Sequence, residues 1–329
     1  MTTAEILEGF KQLKALVVGD ICLDRWCTYN PATSEPSRET GIPRLGIVST
    51  EVTPGGGGTA ANNLAALGAG TVAVLGIRGD DGFGFELVRA LSQRGIATNL
   101  MVEIPRWQTF TYTKLINGQT GIEDRPRVDF ISTQPLPPEA EERVIENLVS
   151  AIEGFDVVLV ADQAETAVGG VVTPGVRDSI IELAGRHGGK VFLVDSRKRV
   201  HLFRKVMVKP NRAEAEAACQ RLFGHIDFRR LRQHLEARAV VVTHGPQGAL
   251  VVEEGKETWA KARAVEKPVD ICGAGDSFAA GTALTMAVTG DPVAAASFGN
   301  LVASITVMKR GTGTASPQEV IEAAGTGIR

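Results

Sequence analysis

"DVVLV" spans Asp156–Val160 and "KVFLV" spans Lys190–Val194, and a helical stretch at about 174–187 separates them. Both runs are almost wholly apolar and rich in β-branched residues, which is typical of strands buried on both faces. Further strands of this kind are predicted at 15–18, 72–76 and 239–243, and further helices at about 59–68, 82–94, 137–153 and 212–222. The alternation predicts an α/β fold whose mostly parallel central sheet is covered by helices on both faces. In such sheets, ligands bind beyond the carboxyl ends of the strands.

The composition indicates a globular protein. Of its 329 residues, 43% are hydrophobic and the formal charge is −3, so the basic surface of a nucleic-acid-binding protein is not expected. Residues 1–13 lack the apolar core of a signal peptide, and no apolar run reaches the ~18 residues that a membrane span needs. The cysteines show no metal-ligand spacing and are interpreted as reduced thiols: Cys22, Cys27, Cys219 and Cys272. We therefore expect a cytoplasmic protein with neither a membrane nor a nucleic acid as partner.

Two segments, at about 28–53 and 107–130, carry alternating β patterns without intervening helices. In the second, Asn117-Gly118 is a strong signal for a hairpin between 109–115 and 121–123. We interpret the two segments as a small β-lid within a single domain that spans residues 1–329; a plain surface hairpin is the alternative. The outer or edge face of the lid carries apolar residues that would let two lids pair into a homodimer: Leu45, Ile47, Val48, Phe110 and Tyr112.

The chemistry is concentrated in Asp270-Ile271-Cys272-Gly273-Ala274-Gly275-Asp276, just before a long apolar stretch with the small residues of a buried helix. Glycines ahead of a helix let the backbone turn its free N–H groups toward one point. These donors and the positive end of the helix dipole together favour the binding of an anion. Asp276, at the rim of this site, is placed to accept a proton. The combination suits phosphoryl transfer to a hydroxyl, and a tight turn with an aspartate N-cap is the alternative.

Two other polar motifs lie near the front of the chain. Asp20 and Asp24 follow the first strand, where carboxylates suit the hydroxyls of a polyol; a turn-forming role is the alternative. Gly55–Gly58 precede a helix and allow a ligand to approach the backbone closely. No P-loop lysine follows these glycines, and their spacing is not that of a dinucleotide-binding motif.

Four motifs, in this order, resemble those of the PfkB carbohydrate kinases, the ribokinase-like family: Gly19-Asp20 with Asp24, Gly55-Gly56, Lys209–Glu214 and Asp270–Asp276. The resemblance extends from about residue 13 to 323 and implies a ribokinase-like three-layer sandwich with a small β-lid. Within the family, the chain is most similar to the kinase half of bacterial heptose-phosphate kinase/ADP-heptose synthase. That similarity lies at Gly19–Arg25, Thr113–Leu115, Arg127–Asp129 and Gly311-Thr312.

The resemblance implies catalytic roles for matching residues. Asp276 corresponds to the catalytic base, and the backbone of Gly273, Ala274 and Gly275 to the anion hole for the transferring phosphate. Asn211 and Glu214 correspond to the pair that organises Mg²⁺, through water, at the triphosphate of ATP. Their three-residue spacing puts both polar groups on one face at a helix start, and it also fits an asparagine N-cap with its N3 partner. A monovalent cation such as K⁺ is a further candidate cofactor.

The resemblance also implies binding positions. The nucleotide-side loop corresponds to Thr243 through Gly248, with Thr243, Gly245 and Gly248 as candidates beside Asn211. The sugar-binding positions correspond to Asp20, Asp24, Gly55 and Gly56. Thr59 replaces the asparagine that usually follows the paired glycines and contacts the sugar, so Asn63 nearby is the candidate for that contact.

These observations predict an ATP-dependent kinase that phosphorylates a hydroxyl of a sugar or sugar phosphate. An acceptor that already carries a phosphate requires cations at the far end of its pocket, and Lys114, Arg127 and Arg197 are the candidates. The alternatives are a kinase for a free sugar or nucleoside, and a nucleotide- or sugar-binding homologue without catalysis. The intact Asp276 argues against the inactive homologue, whereas Thr59 argues slightly for it.

Overall fold

A central sheet of eight strands organises the molecule, whose computed structural model describes residues 1–164, 166 and 168–325. Its strands are β1 (Lys14–Gly19), β4 (Thr71–Leu75), β9 (Val157–Asp162), β10 (Val191–Ser196), β11 (Met207–Val208), β12 (Val240–Thr243), β13 (Gly248–Glu253) and β14 (Lys256–Lys261). Across the sheet they follow the order β14-β13-β12-β11-β10-β9-β1-β4. The strands from β4 to β12 in this order are parallel, whereas β13 and β14 form an antiparallel edge. The predicted mostly parallel sheet is confirmed.

The five helices with predicted ranges, α2 to α6 below, begin within two residues of their predicted starts. Within the described residues they are α1 (Thr3–Phe10), α2 (Gly57–Ala66), α3 (Gly82–Ser92), α4 (Pro138–Ala151), α5 (Pro174–Arg186), α6 (Arg212–Phe223), α7 (Phe228–His234), α8 (Ala274–Thr289), α9 (Pro292–Thr306) and α10 (Pro317–Gly325). Local sequence explains such starts: Thr173 caps α5 through the amide of Val176, and Pro174 occupies the first helical position. None of these helices is long and apolar enough to cross a membrane.

Alternate residues of each buried strand face two separate hydrophobic cores. On β1, Ala15 and Val17 belong to one core, and Leu16 and Val18 belong to the other, as the two-residue period of a strand requires. The first core is closed by α1, α2, α8 and α9, and the second by α4, α5, α6 and α7. The result is a three-layer sandwich.

A second, smaller sheet stands beside the carboxyl ends of the central strands. Its strands are β2 (Ile21–Tyr29), β3 (Ile47–Gly56), β7 (Thr111–Asn117) and β8 (Val128–Phe130), in the order β3-β2-β7-β8. Two short strands, β5 (Ile77–Gly79) and β6 (Val102–Ile104), pair separately. The boundary expected at residue 28 is wrong, because β2 begins at Ile21, one residue after Asp20. The first three residues of β2, Ile21 to Leu23, are apolar and buried and lack the polar alternation used to recognise the small sheet, so the start of this strand was missed.

The hairpin expected at Asn117-Gly118 differs from the structure. The chain does reverse there, and the amide of Asn117 donates to the carbonyl oxygen of Ile122 at 2.9 Å. Residues 121–123 contribute an isolated bridge, however, and the strand that returns along β7 is β8. Asp124 explains the interruption. It accepts hydrogen bonds from the Tyr29 hydroxyl (2.7 Å) and from the side-chain amide of Asn117 (2.8 Å), and these contacts hold the returning chain away from β7.

Candidate active site

Polar side chains gather where five neighbouring parallel strands end. From β12 to β1 they are Thr243, Lys209, Asp195, Gln163 and Asp20. The carboxyl ends of parallel strands meet at one edge of a sheet, so these residues form a single row. The N-terminus of α8 reaches the same row, because Asp276 in its first turn contacts Gln163.

A cavity of about 310 Å³ lies between this row, the start of α8 and the small sheet. Its walls are formed by Asp24, Arg25, Trp26, Gly56, Thr59, Tyr112, Lys114, Arg127, Gln163, Arg197, Cys272, Gly273, Asp276 and Thr312. The volume and the mixture of charged and aromatic walls suit a small polar ligand.

Asp276 is half-buried at the meeting point of α8 and the central sheet. The side-chain amide of Gln163 donates to its Oδ1 at 3.2 Å. The pKa of Asp276 is raised to about 7, mainly by loss of hydration and to a smaller extent by the negative charge of Asp195. Lys209, Gln163 and Arg197 lower the pKa, but by less. A carboxyl group with a pKa near neutrality is suited to take a proton from a hydroxyl and to release it afterwards.

The loop before α8 turns the helix terminus toward the cavity. Gly273 has a φ of 78°, which favours glycine, and a side chain there would lie 3.3 Å from the methyl groups of Thr59 and Thr312. The Ala274 amide donates to the carbonyl oxygen of Ile271 at 3.2 Å, so it serves the turn itself. The amides of Gly275 and Asp276 remain in the first helical turn, where N–H groups have no acceptor within the helix.

Lys209 adds a buried positive charge beside Asp276. Its Nζ lies 3.0 Å from Oδ2 of Asp195. Burial opposes the charge of Lys209, but Asp195, with help from Glu214 and Asp276, outweighs it and raises the pKa of the ammonium. The lysine is therefore charged and lies near both Glu214 and Asp276.

Asn211 and Glu214 form a reciprocal cap at the start of α6. The amide of Glu214 donates to the side chain of Asn211 at 2.9 Å, and the amide of Asn211 donates to Glu214 Oε2 at 2.7 Å. Burial raises the pKa of Glu214. The described part of the chain contains no group of three or more His, Cys, Asp or Glu residues able to hold a metal by themselves. One carboxylate at this edge fits Mg²⁺ that a polyphosphate brings with it, since Mg²⁺ keeps water and phosphate ligands.

The inner face of the small sheet forms the opposite wall. In the register of β2 and β7, Asp24 lies opposite Tyr112 and Trp26 opposite Lys114, and β8 places Asp129 beside Tyr112. Because side chains alternate along a strand, these residues share one face. Burial raises the pKa of Asp24 to about 6, although Lys114 and Arg127 lower it.

The cations of this wall have acidic neighbours. Arg127 donates to Oδ2 of Asp129 at 3.0 and 2.6 Å, and its guanidinium lies 4.7 Å from the ring centroid of Tyr112. The Lys114 ammonium is 3.8 Å from Glu123. Arg197 extends from the end of β10 on the other side of the cavity and reaches Gln163 at 3.5 Å.

Asp20, expected to contact the sugar, is not part of the cavity wall. The backbone amides of Gln163 and Val171 donate to its two carboxylate oxygens at 2.7 and 2.8 Å, and the residue is buried. Both oxygens therefore bind the protein's own backbone, and Asp20 joins β1 to the segment after β9.

Three other residues are placed differently from what the sequence suggested, and the binding roles of Asn63 and Gly55 stay predictions. Asn63 is fully buried on α2, where its side-chain amide donates to the carbonyl oxygen of Thr59 at 2.9 Å, so it does not face the cavity. Gly55 is absent from the wall, but a side chain there would overlap the carboxylate of Asp24. Tyr112 lies on the inner face of the small sheet and not on its outer face.

The candidate nucleotide residues lie beside the cavity. Asn211 and Thr243 form a parallel bridge between the ends of neighbouring strands. Gly245 and Gly248 have φ values of 56° and 102°, and the amide of His244 donates to the carbonyl oxygen of Gly248 at 2.7 Å. These contacts form a turn next to the end of β12 and outside the residues that line the cavity.

Sequence reasoning assigned no role to Gln163, Trp26 or Thr312, which all line the cavity. The place of Trp26 in the cavity could have been predicted, because it lies two residues after Asp24 and therefore on the same face of the strand. Gln163 directly follows β9, at the edge where ligands are expected.

The chain has relatives among known proteins. Residues 14–319 match the pfkB family carbohydrate kinases. The chain is 31% identical over 331 residues to "Bifunctional protein HldE" of Pelobacter propionicus, covering 97% of this chain and 64% of that protein. It spans 62–64% of the length of this and similar relatives.

Solved structures share the fold at low sequence identity. Ribokinase from Thermotoga maritima superimposes with a TM-score of 0.70 at 19% identity, covering 95% of this chain and 100% of that one. Phosphofructokinase-2 from Escherichia coli, in complex with potassium, gives 0.70 at 20% identity, with 95% and 98% covered. The architecture is thus the ribokinase-like α/β fold, and the chain belongs to the PfkB family of carbohydrate kinases.

Proposed function

We propose that the protein is an ATP-dependent kinase that transfers a phosphoryl group to a hydroxyl of a sugar phosphate, with a heptose phosphate as the first acceptor to test. One observation carries the proposal: a single cavity has Asp276 and the N-terminus of α8 on one wall and Lys114 and Arg127 on another. This arrangement offers a base and an anion site for the transfer, and cations for a phosphate that the acceptor already bears.

The reaction assigns a task to each group near α8. Asp276 accepts the proton of the acceptor hydroxyl, whose oxygen forms the new P–O bond while the bond to the departing ADP breaks. The amides of Gly275 and Asp276 and the positive end of α8 stabilise the negative charge of the transferring group. Lys209, held by Asp195, adds positive charge on the same side.

The small sheet would recognise the acceptor. Asp24, with a pKa of about 6, is mostly ionised at neutral pH and accepts hydrogen bonds from sugar hydroxyls. Lys114, Arg127 and Arg197 would bind the phosphate, because a buried dianion requires charged hydrogen-bond donors. The small sheet then acts as a lid over the acceptor within a single kinase domain.

The cofactors of the proposal are Mg²⁺, brought with ATP, and a monovalent cation such as K⁺. When bound, Mg²⁺ neutralises phosphate charge, and Glu214 with Asn211 would hold its water shell. A potassium ion is bound in the related structure of Escherichia coli phosphofructokinase-2. A cytoplasmic location, where ATP is available, belongs to the same proposal.

A free sugar is the second candidate acceptor, and one observation favours it. Arg127 pairs with Asp129 and Lys114 lies near Glu123, so part of the positive charge on this wall is already compensated. A neutral acceptor would leave these pairs intact.

Matched acceptors distinguish the two candidates. Purified protein with ATP and Mg²⁺ is incubated with sugars and with the corresponding monophosphates, and ADP release and the mass of the product are measured. We expect kcat/KM for a phosphorylated acceptor to exceed that for its free sugar by at least ~10-fold, the effect of one charge-assisted contact. Preference for free sugars would support the second candidate, and binding of ATP without turnover on any acceptor would support the inactive homologue.

A further inference from the structure

Gln163 occupies a position between the two halves of the cavity that the reaction described above does not use. It directly follows β9, is 8% exposed, and lines the cavity between Arg197 and Asp276. We propose that Gln163 is a positioning residue for the base: its side-chain amide fixes the orientation of the Asp276 carboxylate. This inference rests on the proposed role of Asp276 as base.

The two ends of the Gln163 amide have different partners, and these partners define its orientation. Nε2 donates to Oδ1 of Asp276 at 3.2 Å, and Oε1 faces the guanidinium of Arg197 at 3.5 Å. The opposite orientation would place the amide oxygen against a carboxylate and the NH₂ group against a guanidinium. Arg197 therefore aligns Gln163, and Gln163 in turn presents an N–H donor to Asp276.

The backbone of Gln163 is held as firmly as its side chain. Its amide donates to Oδ2 of Asp20 at 2.7 Å, and Val171 donates to the other oxygen of the same carboxylate at 2.8 Å. The preceding residue, Asp162, is buried and accepts hydrogen bonds from Ser196 and Arg199. Asp20 thus fixes the position of the backbone from which the Gln163 side chain extends.

The charge around Asp276 explains why one neutral donor matters. The groups that face it are Asp195, Lys209, Arg197, and the thiols of Cys22 and Cys272. Desolvation and Asp195 raise the pKa of Asp276, while Lys209, the Gln163 hydrogen bond and Arg197 lower it. Removing the donor should therefore raise the pKa further and leave less of the base ionised near neutral pH.

Two substitutions test the assignment. Gln163→Met keeps the length of the side chain and removes the donor, and Gln163→Glu keeps the shape and replaces the donor by an acceptor. We expect the acidic limb of the kcat/KM profile to move up by about 1 pH unit in Gln163→Met. Activity should fall roughly 10-fold at pH 6 and recover above pH 8.5, and Gln163→Glu should move the limb at least as far. The KM for ATP should stay near its wild-type value.

A purely structural role predicts a different result. Loss of packing would scale kcat/KM equally at every pH and would leave the acidic limb in place, which would overturn the proposal. A double-mutant comparison gives a second criterion: in the Asp276→Asn background, Gln163→Met should cost little further activity, because its effect acts through the carboxylate. An equal loss in both backgrounds would also overturn it.

A measurement without turnover separates this inference from the proposed function. The difference in melting temperature between the wild-type protein and the Asp276→Asn variant, followed from about pH 4 to about pH 9, reports the pKa of Asp276 through proton linkage. The same comparison in the Gln163→Met background should show that pKa rising. An unchanged pKa would overturn the positioning role. A raised pKa in a protein that phosphorylates no acceptor would support the positioning role and reject the kinase proposal.

Discussion

The surroundings that suit Asp276 for its proposed role as base also have a cost to stability. Its pKa is about 7 in the folded protein against an ordinary value of 3.8. The native state therefore holds a proton that the unfolded chain has already released, and this group lowers stability as the pH rises from about 4 to about 7. The same shift suits the proposed role of Asp276 as a base near neutral pH.

Replacement of Asp276 by Asn should separate these two effects. We expect kcat to fall by roughly 10²–10⁴-fold while the KM for ATP changes little, because the base is lost and the shape is kept. Thermal unfolding should show the variant to be more stable than wild type at about pH 8, with most of the gain gone at about pH 4. Near-normal turnover would rule out Asp276 as the base.

At the scale of elements, the N-terminus of α8 depends on the left-handed turn at Gly273. Gly273→Ala should cost about 1–2 kcal/mol in strain and push its methyl group against Thr59 and Thr312. We expect a marked loss of kcat as the anion site shifts. Gly255→Ala is the matched control, since Gly255 has a φ of 68° with nothing within 4 Å of its position. Equal activity of the two variants would contradict an anion site at α8.

The start of α6 offers a second test at this scale. Glu214→Gln keeps the cap of Asn211 and removes a negative charge, so the Mg²⁺ concentration for half-maximal rate should rise. Glu5→Gln is the control, because Glu5 forms the same type of capping box with Thr2 at the remote helix α1. If neither variant changes the Mg²⁺ dependence, Glu214 serves as a cap and has no part in the metal site.

For the whole molecule, we propose that two copies pair through their small sheets. β3 is an edge strand, and Ile47 and Val48 on it are 45% and 63% exposed. Light scattering at micromolar concentration should show a dimer that Val48→Lys dissociates. Val149→Lys, on α4 at 50% exposure, should leave it intact. A monomeric wild type would reject the pairing without affecting the lid.

The fold was more predictable than the site, for physical reasons. Buried parallel strands are continuous apolar runs, so β9 and β10 can be recognised in the sequence, and the helices can be recognised as the stretches between such runs. The start of β2 at Ile21 is hidden, because its first three residues are apolar and lack the polar alternation used to recognise the small sheet. The position of Asp20 at a strand end can be read from the sequence, whereas its two backbone amide donors, more than 140 residues away in sequence, cannot.

The contact between Gln163 and Asp276 illustrates the same limit. The two residues are 113 positions apart, and no local pattern links them. Lys114 and Arg127 could be named only through resemblance to a family, because their inward direction depends on the register of the small sheet.

The central claim is that the protein phosphorylates a sugar phosphate bound in this cavity. The KM of three variants for the phosphorylated acceptor tests this claim most directly. Lys114→Ala and Arg127→Ala each remove a cation of the cavity, and Arg125→Ala removes an exposed cation of the same sheet region that does not line it. We predict that the first two raise KM for the phosphorylated acceptor at least ~10-fold, with KM for ATP unchanged, and that Arg125→Ala behaves as wild type. Free sugars turned over as well as their phosphates, with all three variants equal to wild type, would contradict the claim.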